Sequence, residues 1–321
     1  MRRNESSSGF DNLSFAFLFP GQGSQYAGMG KLLNQRHPEA LRVFEDADNA
    51  LGFPLSTLCF DGPEEELKRT ENTQPALLTV SIAAYQVLRE LGYKPDIVAG
   101  HSLGEYSALV AAESLGFVDA LHLVRKRGQY MQEAVPQGKG AMAAILKLPE
   151  GKLDEVLQQA AQGEVVTPAN LNSPDQVVIA GHAEAVARAM ELAKAAGARR
   201  AILLPVSAPF HCPLMRPAQE KLRADLHATT FKDLMTPLIN NWQAQEVTAA
   251  EDARQGLYEQ IPNPVRWTDT IREMARKGIK VFVEVGPGSV LSGLTRNIDP
   301  ALQAVKFGEP SDLEKLKSAL A

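Results

Sequence analysis

The chain has 321 residues, of which 45% are hydrophobic and 22% are charged, a composition typical of a soluble globular protein. Its length suits one large domain that carries an inserted module. The formal net charge of −5 argues against nucleic acid as the main partner, and no window approaches the roughly 18 to 20 apolar residues that span a membrane. Cys59 and Cys212 have neither metal-ligand spacing nor a disulfide framework, which favours a cytoplasmic location.

A polar lead-in precedes the first predicted strand. Residues 1–13 contain no apolar core, so they are predicted to be disordered and to be neither a signal peptide nor a membrane anchor. The apolar residues 15–19 predict a buried strand, and the loop after them places Gln22 between two glycines. Such a loop can bring a backbone N–H close to a reacting group, although the loop alone is better explained as an ordinary Gly-rich turn. Helices are predicted at residues 38–51 and 74–91.

The most informative pattern lies in residues 96–112. A short apolar run at residues 97–99 predicts a buried strand, and residues 105–112 are rich in Ala and Leu, as in a helix. Between them, Gly100, Ser102 and Gly104 form a Gly-x-Ser-x-Gly, so the order is strand, sharp turn, helix. This order predicts a nucleophile elbow that exposes the Ser102 hydroxyl above the sheet. The alternative is a tight turn in which Ser102 only caps the helix.

A helix predicted at residues 118–134 contains three consecutive basic residues, 125–127. Consecutive helical residues point about 100° apart, so the three cannot all face the same way. Apolar residues three and four positions away on either side place Arg127 on the inward face. A buried guanidinium needs a partner. The sequence leaves two partners open: a structural Asp or Glu, or the carboxylate of a substrate.

Residues 139–206 are predicted to form a small subdomain within a larger one. Strands are predicted at residues 141–148, 165–171, 176–180 and 201–206, and helices at residues 153–161 and 183–196. This β-α-β-β-α-β order is the ferredoxin-like arrangement. Residues 14–138 and 207–321 then form the large α/β subdomain. A ligand site is expected in the cleft between the two.

A serine nucleophile requires a base, and the chain contains six histidines. Five of them lie on predicted helices, at a strand end or directly beside Ser102 in the tight turn: His37, His122, His227, His182 and His101. His211 lies in a proline-framed loop at the junction of the two subdomains, where the cleft is expected. His211 is therefore the favoured base. The neighbouring Cys212 is better explained as a packed thiol than as a nucleophile.

The remaining chain continues the alternation of strands and helices. Strands are predicted at residues 237–240, 279–285 and 302–307, and helices at residues 217–227, 252–261, 268–277 and 290–297, with one more after residue 307. Strands that alternate with helices predict a parallel sheet with helices on both faces. The predicted fold class is therefore α/β, with a parallel-sheet large subdomain and an inserted ferredoxin-like small one.

Seven ordered motifs resemble the acyltransferase family of fatty acid and polyketide synthesis, which includes malonyl-CoA:acyl carrier protein transacylases. They are FPGQGSQ at residues 19–25, GHSLGEY at 100–106, RG at 127–128, NLNSP at 170–174, FH at 210–211, NPV at 263–265 and EVGPG at 284–288. The resemblance covers residues 15 to about 310. It implies an α/β-hydrolase-like large subdomain and transfer of a malonyl group from malonyl-CoA to acyl carrier protein.

The resemblance also implies a set of catalytic residues. Ser102 would be the nucleophile and His211 its base, with the main-chain carbonyl of Gln260 orienting the histidine. The backbone N–H groups of Gln22 and Leu103 would form the oxyanion hole. The reaction would be ping-pong, from coenzyme A to Ser102 and then to a phosphopantetheine thiol.

Arg127 would bind the free carboxylate of malonate, and His101 and Phe210 would also line the substrate site. The implied enzyme needs no cofactor and no metal, because thioester and ester exchange are nearly balanced. Its expected partners are malonyl-CoA and acyl carrier protein, without nucleic acid or membrane, and the expected state is a monomer.

One residue departs from the fatty-acid pattern. A small residue commonly precedes the histidine in fatty-acid members, whereas this chain has Phe210, as malonyl-selective polyketide acyltransferases do. The motif therefore leaves a trans-acting polyketide acyltransferase open, and an acyl hydrolase of the same fold would use the same Ser102 and His211. A lipase-like enzyme and a non-catalytic carrier-binding module fit less well. The chain has no membrane-binding stretch, and it keeps the residues that a non-catalytic module would have lost.

Overall fold

A computed structural model describes residues 14–206 and 208–321 and contains two β-sheets. The predicted disordered lead-in at residues 1–13 lies outside the described residues. The strands are β1 (Phe15–Phe19), β2 (Ile97–Gly100), β3 (Gly140–Leu146), β4 (Val166–Ser173), β5 (Gln176–His182), β6 (Arg200–Leu203), β7 (Leu238–Ile239), β8 (Glu246–Val247), β9 (Val281–Val285) and β10 (Gln303–Phe307).

Helices connect most of these strands. They are α1 (Lys31–Arg36), α2 (Pro38–Leu51), α3 (Leu55–Asp61), α4 (Glu64–Leu67), α5 (Thr70–Glu90), α6 (Gly104–Ala111), α7 (Phe117–Glu133), α8 (Leu153–Ala161), α9 (Ala183–Ala195), α10 (Arg216–Ala228), α11 (Ala250–Gln260), α12 (Trp267–Arg276), α13 (Val290–Ile298) and α14 (Leu313–Leu320). Among residues 14–206 and 208–321, no helix is long and apolar enough to cross a membrane.

The larger sheet has six strands in the order β10-β9-β1-β2-β7-β8, and the first five run parallel. Side chains of the central strand β1 alternate between two cores. Phe15, Phe17 and Phe19 enter one, whereas Ala16 and Leu18 enter the other. The first core is completed by α5 and α7, and the second by α12 and α13. The predicted parallel sheet with helices on both faces is confirmed.

The edge strand β8 departs from the predicted parallel sheet, because it pairs antiparallel with β7. Both strands have only two residues, and the turn between them closes with a hydrogen bond from Asn240 N to Gln245 O. Strand β7 lies within the strand predicted at residues 237–240, whereas the two-residue β8 is too short to leave a periodic pattern in the sequence. The same applies to the short helices α1, α3 and α4, which the sequence did not predict.

The smaller sheet is antiparallel throughout, in the order β4-β5-β3-β6, and α8 and α9 pack on it. Chain order and strand order together match the predicted ferredoxin-like arrangement. Two backbone hydrogen bonds tie this unit to the larger one, from Leu171 N to Val265 O and from Val265 N to Ala169 O. The exact subdomain bounds at residues 139 and 206 stay a prediction.

Candidate active site

Ser102 lies in the turn between β2 and α6, with a φ of 52°, a left-handed value that is uncommon outside glycine. The flanking glycines make this turn possible. A Cβ on Gly100 would lie 1.8 Å from the carbonyl carbon of Gly104, and a Cβ on Gly104 would lie 2.0 Å from the Phe19 oxygen. The helix that follows has no side-chain cap. The predicted strand-turn-helix context is therefore present, and the alternative in which Ser102 caps the helix is wrong.

The Ser102 hydroxyl is hydrogen-bonded to a buried histidine. Ser102 Oγ lies 2.7 Å from His211 Nε2, and His211 Nδ1 lies 2.9 Å from the main-chain oxygen of Gln260. A carbonyl oxygen can only accept, so Nδ1 carries the proton and Nε2 accepts from the Ser102 hydroxyl. The structure thus places Ser102, His211 and Gln260 together as predicted, in the geometry of a nucleophile and its base.

His211 is kept neutral by its surroundings. Burial is the main cause and the positive charge of Arg127 the second, and together they lower the pKa of His211 to about 3. A neutral imidazole is the form that can take a proton from Ser102. The backbone φ of His211 is 59°, so this residue also adopts a strained left-handed conformation next to the Ser102 hydroxyl.

Arg127 points inward from α7, as predicted, and is 2% exposed. Its Nη1 donates to Gln74 Oε1 at 2.8 Å, and its Nη2 donates to Gln260 Oε1 at 2.9 Å and to Ser102 Oγ at 3.1 Å. The ring of Tyr106 lies 5.6 Å from the guanidinium carbon. All of these partners are neutral. Within the described residues Arg127 forms no ion pair, so the interpretation as a structural ion pair with Asp or Glu is wrong.

A buried cation whose direct hydrogen-bond partners are all neutral is costly, even with the attraction of the nearby Glu105, and it attracts an anion. Burial lowers the pKa of Arg127 from its usual value, which expresses the same cost. Because Nη2 lies beside Ser102 Oγ, an anion bound there would be part of a molecule that reaches the nucleophile. The geometry therefore suits an acyl group that carries its own carboxylate.

The loop after β1 packs tightly against the elbow. A Cβ on Gly21 would lie 2.5 Å from the main-chain oxygen of His101. In the described part of the chain, the backbone N–H groups of Gln22 and Leu103 donate no hydrogen bond, whereas the Ser102 N–H donates to Asn241 Oδ1 at 2.6 Å. Gln22 and Leu103 both line the cavity beside Ser102. These two amides are thus available to an oxyanion, as the sequence resemblance implied.

The cavity at Ser102 has a volume of about 110 Å³. It lies between the unit built on the larger sheet and the unit built on the smaller sheet, where the sequence predicted a cleft. Its walls come from both units: Gln22, Gln74, His101, Ser102, Leu103, Arg127, Met131, Met142, Asn170, Leu204, Val206, Phe210 and His211. Apolar side chains line the cavity together with Arg127, and Phe210 is among them. The cavity therefore combines an apolar wall with one cationic group, a combination suited to a small charged acyl chain.

His101 lies beside Ser102 but its side chain forms a hydrogen bond elsewhere. Its Nε2 is 2.8 Å from Asn172 Oδ1, and its ring centroid is 5.3 Å from that of Trp267. Burial lowers the pKa of His101, which favours the neutral form. His101 thus connects the elbow to the smaller sheet and reaches the cavity only as part of its wall. Its role in substrate binding stays a prediction.

Three polar residues around the site were not predicted from the sequence. Gln74 holds Arg127, Asn241 accepts from the Ser102 N–H and donates to Gly100 O at 2.6 Å, and Glu105 lies buried beneath the elbow. The sequence signals are that Glu105 stands in the motif at residues 100–106 and is charged at the start of an Ala- and Leu-rich helix, and that Gln74 directly precedes the apolar run of its helix. The side chain of Gln260 was missed as well, since only its main-chain oxygen was expected to act.

The influence of Arg127 on His211 leads to a prediction about pH. Arg127→Ala removes the positive charge that is the second cause of the lowered His211 pKa, so this pKa should rise while burial still keeps it below its usual value. We expect the acid limb of the pH profile for acetyl transfer to move to higher pH. The control is Arg125→Ala, which removes a cation of the same helix that lies over Phe53. If the acid limb of the pH profile does not move in the Arg127 variant, the influence of Arg127 on the pKa of His211 is contradicted.

The chain matches the family model of the acyl transferase domain over residues 16–308. It is similar to the malonyl CoA-acyl carrier protein transacylase of Bacillus subtilis (strain 168), with 50% identity over 300 residues, 93% of this chain and 95% of that protein. The solved malonyl CoA-acyl carrier protein transacylase from Coxiella burnetii has a TM-score of 0.94 at 46% identity, covering 96% of this chain and 98% of that one. A malonyl-transacylase in complex with a type II PKS acyl-carrier protein has a TM-score of 0.92 at 46% identity, and the match covers 94% of this chain and 98% of that one.

Proposed function

Because this chain belongs to the acyl transferase domain family, we propose that it transfers a malonyl group from malonyl-CoA to the phosphopantetheine thiol of acyl carrier protein. The observation that carries the proposal is the contact of Arg127 Nη2 with Ser102 Oγ at 3.1 Å, in a buried site where Arg127 has only neutral partners. A carboxylated acyl group satisfies this cation while its thioester carbon lies at the nucleophile.

The first half of the reaction forms an ester on Ser102. The hydroxyl oxygen attacks the thioester carbonyl, and its proton passes to His211 Nε2. The carbonyl oxygen becomes an oxyanion that the N–H groups of Gln22 and Leu103 stabilise, each donor contributing ~2.7–4 kcal/mol by comparison with measured oxyanion holes. The carbon–sulfur bond then breaks, and the coenzyme A thiolate takes the proton back from His211.

The second half repeats these steps in reverse with a different thiol. His211, neutral again, accepts the proton of the phosphopantetheine thiol, and the sulfur attacks the malonyl ester. The same two amides stabilise the second oxyanion, and the Ser102 oxygen leaves with the proton from His211. Throughout, the Gln260 oxygen accepts from Nδ1, so that Nε2 always faces the oxygen or sulfur with which it exchanges the proton.

We place the reaction in the cytoplasm and assign the carrier to fatty acid synthesis. Cys59 and Cys212 support a reducing compartment, because both are buried and unpaired, and burial raises the pKa of Cys212 to about 12. Phe210 favours a second candidate function, a trans-acting acyltransferase that serves a polyketide carrier. The similar malonyl-transacylase that was solved with a type II PKS acyl-carrier protein is consistent with this candidate.

Mass spectrometry of the intact protein tests the proposal. After incubation with malonyl-CoA, we expect a malonyl adduct that persists and that disappears when holo acyl carrier protein is added, with malonyl appearing on the carrier. Release of free malonate without a carrier would instead identify a hydrolase. Parallel reactions with fatty-acid and polyketide carriers distinguish the two pathways by the faster discharge.

Phe210 provides a test of acyl selectivity. Its buried side chain lines the cavity at Ser102. We propose that the ring borders the α-carbon of the acyl group, so that an added methyl would meet it. We expect malonyl to be preferred over methylmalonyl, since one methyl is worth ~1–3 kcal/mol in a pocket, or about 10–200-fold. Phe210→Ser should reduce this preference. The measurement is the ratio of kcat/KM for the two thioesters. Phe210→Leu, which keeps more bulk, should change the ratio less, and equal ratios in all three proteins would remove Phe210 from this role.

A further inference from the structure

Glu105 is a buried carboxylate that no step of the proposed reaction uses. It follows the elbow in the first turn of α6 and is 1% exposed. Its Oε2 accepts two hydrogen bonds, from the Asn241 N–H at 3.0 Å and from Gln260 Nε2 at 2.8 Å. Burial raises the pKa of Glu105 to about 7, against the opposing effects of Gln260, Asn241 and Arg127. An acid that is this costly to bury calls for an explanation.

The contact between Glu105 and Gln260 explains why the acid is buried, because it helps to determine which way round the Gln260 side-chain amide lies. Gln260 Nε2 donates to the Ser102 main-chain oxygen at 3.0 Å as well as to Glu105, while Oε1 accepts from Arg127 Nη2 at 2.9 Å. Turning the amide over would bring its oxygen against two acceptors and its N–H groups against a guanidinium that can only donate. Only one orientation satisfies all three neighbours.

Resting on the proposed function, we propose that Glu105 is a positioning residue for malonyl selectivity. By accepting from Gln260 Nε2, Glu105 keeps Gln260 Oε1 turned toward Arg127, and this holds Nη2 beside the Ser102 hydroxyl. His211 depends much less on Glu105, because it bonds to the main-chain oxygen of Gln260 and not to the side chain. Loss of Glu105 should therefore affect a substrate that needs Arg127 more than one that does not.

Two substitutions separate the hydrogen bond from the charge. Glu105→Gln removes the charge but keeps an oxygen that can accept from both Asn241 and Gln260. Glu105→Asp keeps an acid but shortens the side chain by one methylene, which withdraws the oxygen from Gln260. The readout is the ratio of kcat/KM for malonyl-CoA to kcat/KM for acetyl-CoA. A purely structural role would lower both constants by the same factor and leave the ratio unchanged.

We expect Glu105→Asp and Glu105→Ala to lower this ratio about tenfold or more, the effect of one lost hydrogen bond to a charged network, and Glu105→Gln to keep it within about threefold. Gln260→Ala should lower the ratio too, and Glu105→Ala should add nothing in that background, because the two residues act through one contact. Thermal unfolding verifies that each variant folds. If Glu105→Ala does not fold, the Asp and Gln variants still decide.

Three outcomes would overturn the inference. The malonyl-to-acetyl ratio could stay constant in all variants, or Glu105→Asp could keep the ratio while Glu105→Gln lowers it. The effects of Glu105→Ala and Gln260→Ala on the ratio could also be additive. These outcomes differ from a failure of the proposed function, which would appear in the unmodified protein as the absence of a malonyl adduct on Ser102. Malonyl transfer by the unmodified protein with a constant ratio in the variants overturns only the role of Glu105.

Discussion

Ser102→Ala is expected to abolish the malonyl adduct, and His211→Ala to slow its formation ~10²–10⁴-fold, the usual contribution of a general base. The alanine variant of Ser102 has no oxygen to acylate. In the His211 variant the hydroxyl remains but loses the only described acceptor for its proton, 2.7 Å away. The measurement is the rate at which the mass of the intact protein increases after mixing with malonyl-CoA.

His122→Ala is the matched control for this pair. His122 lies exposed on α7 and reaches neither Ser102 nor the cavity, so its removal should leave the acylation rate unchanged. Normal adduct formation in the Ser102 variant would mean that another residue is the nucleophile. An equal loss in the His122 and His211 variants would mean that the effect of His211 is not that of a base.

The elbow was predictable because everything that builds it is local. Strand β2, the two glycines and helix α6 follow one another within fifteen residues of sequence, and the glycines are required by contacts inside the turn itself. The inward direction of Arg127 was equally accessible, since helical periodicity alone decides which face of α7 is buried. The family resemblance seen in the sequence is confirmed by the match to the acyl transferase domain.

What the sequence left open was the partner of Arg127, and the reason is distance along the chain. Gln74 and Gln260 lie 53 and 133 residues from Arg127, and periodicity within α7 carries no information about either. The same holds for Asn241, which bonds to the Ser102 N–H from 139 residues away. Because such pairings are made only by the packing of the whole sheet, the structural ion pair could be excluded only from the structure.

The same packing explains why one glutamine, Gln260, contacts two separate side chains of the site. Gln260 ends α11, and its main-chain oxygen and its side chain point to different neighbours, so one residue contacts both His211 and Arg127. His211 and Arg127 are thereby fixed relative to each other. This rigid relation suits a substrate whose carboxylate and thioester are separated by a single carbon.

Arg127→Ala is expected to lower malonyl transfer by two or more orders of magnitude while acetyl transfer holds or rises. Removing the guanidinium leaves the malonyl carboxylate desolvated and unpaired, a loss of ~2–5 kcal/mol by comparison with other buried charge pairs. Acetyl has no carboxylate and loses nothing of this kind. It can even gain, since the variant no longer buries a cation among the neutral groups of Gln74 and Gln260.

The measurement is kcat/KM for malonyl-CoA and acetyl-CoA in the unmodified protein, in Arg127→Ala and in the control Arg125→Ala, which removes a neighbouring cation outside the cavity. Arg127→Lys adds a further comparison, because a lysine keeps the charge but cannot bind a carboxylate with two parallel N–H groups, so malonyl transfer should recover only in part. A fall by the same factor for both thioesters would make Arg127 a structural residue. The carboxylated substrate would then lose its main chemical support, because no other cation lines the cavity at Ser102 within the described residues.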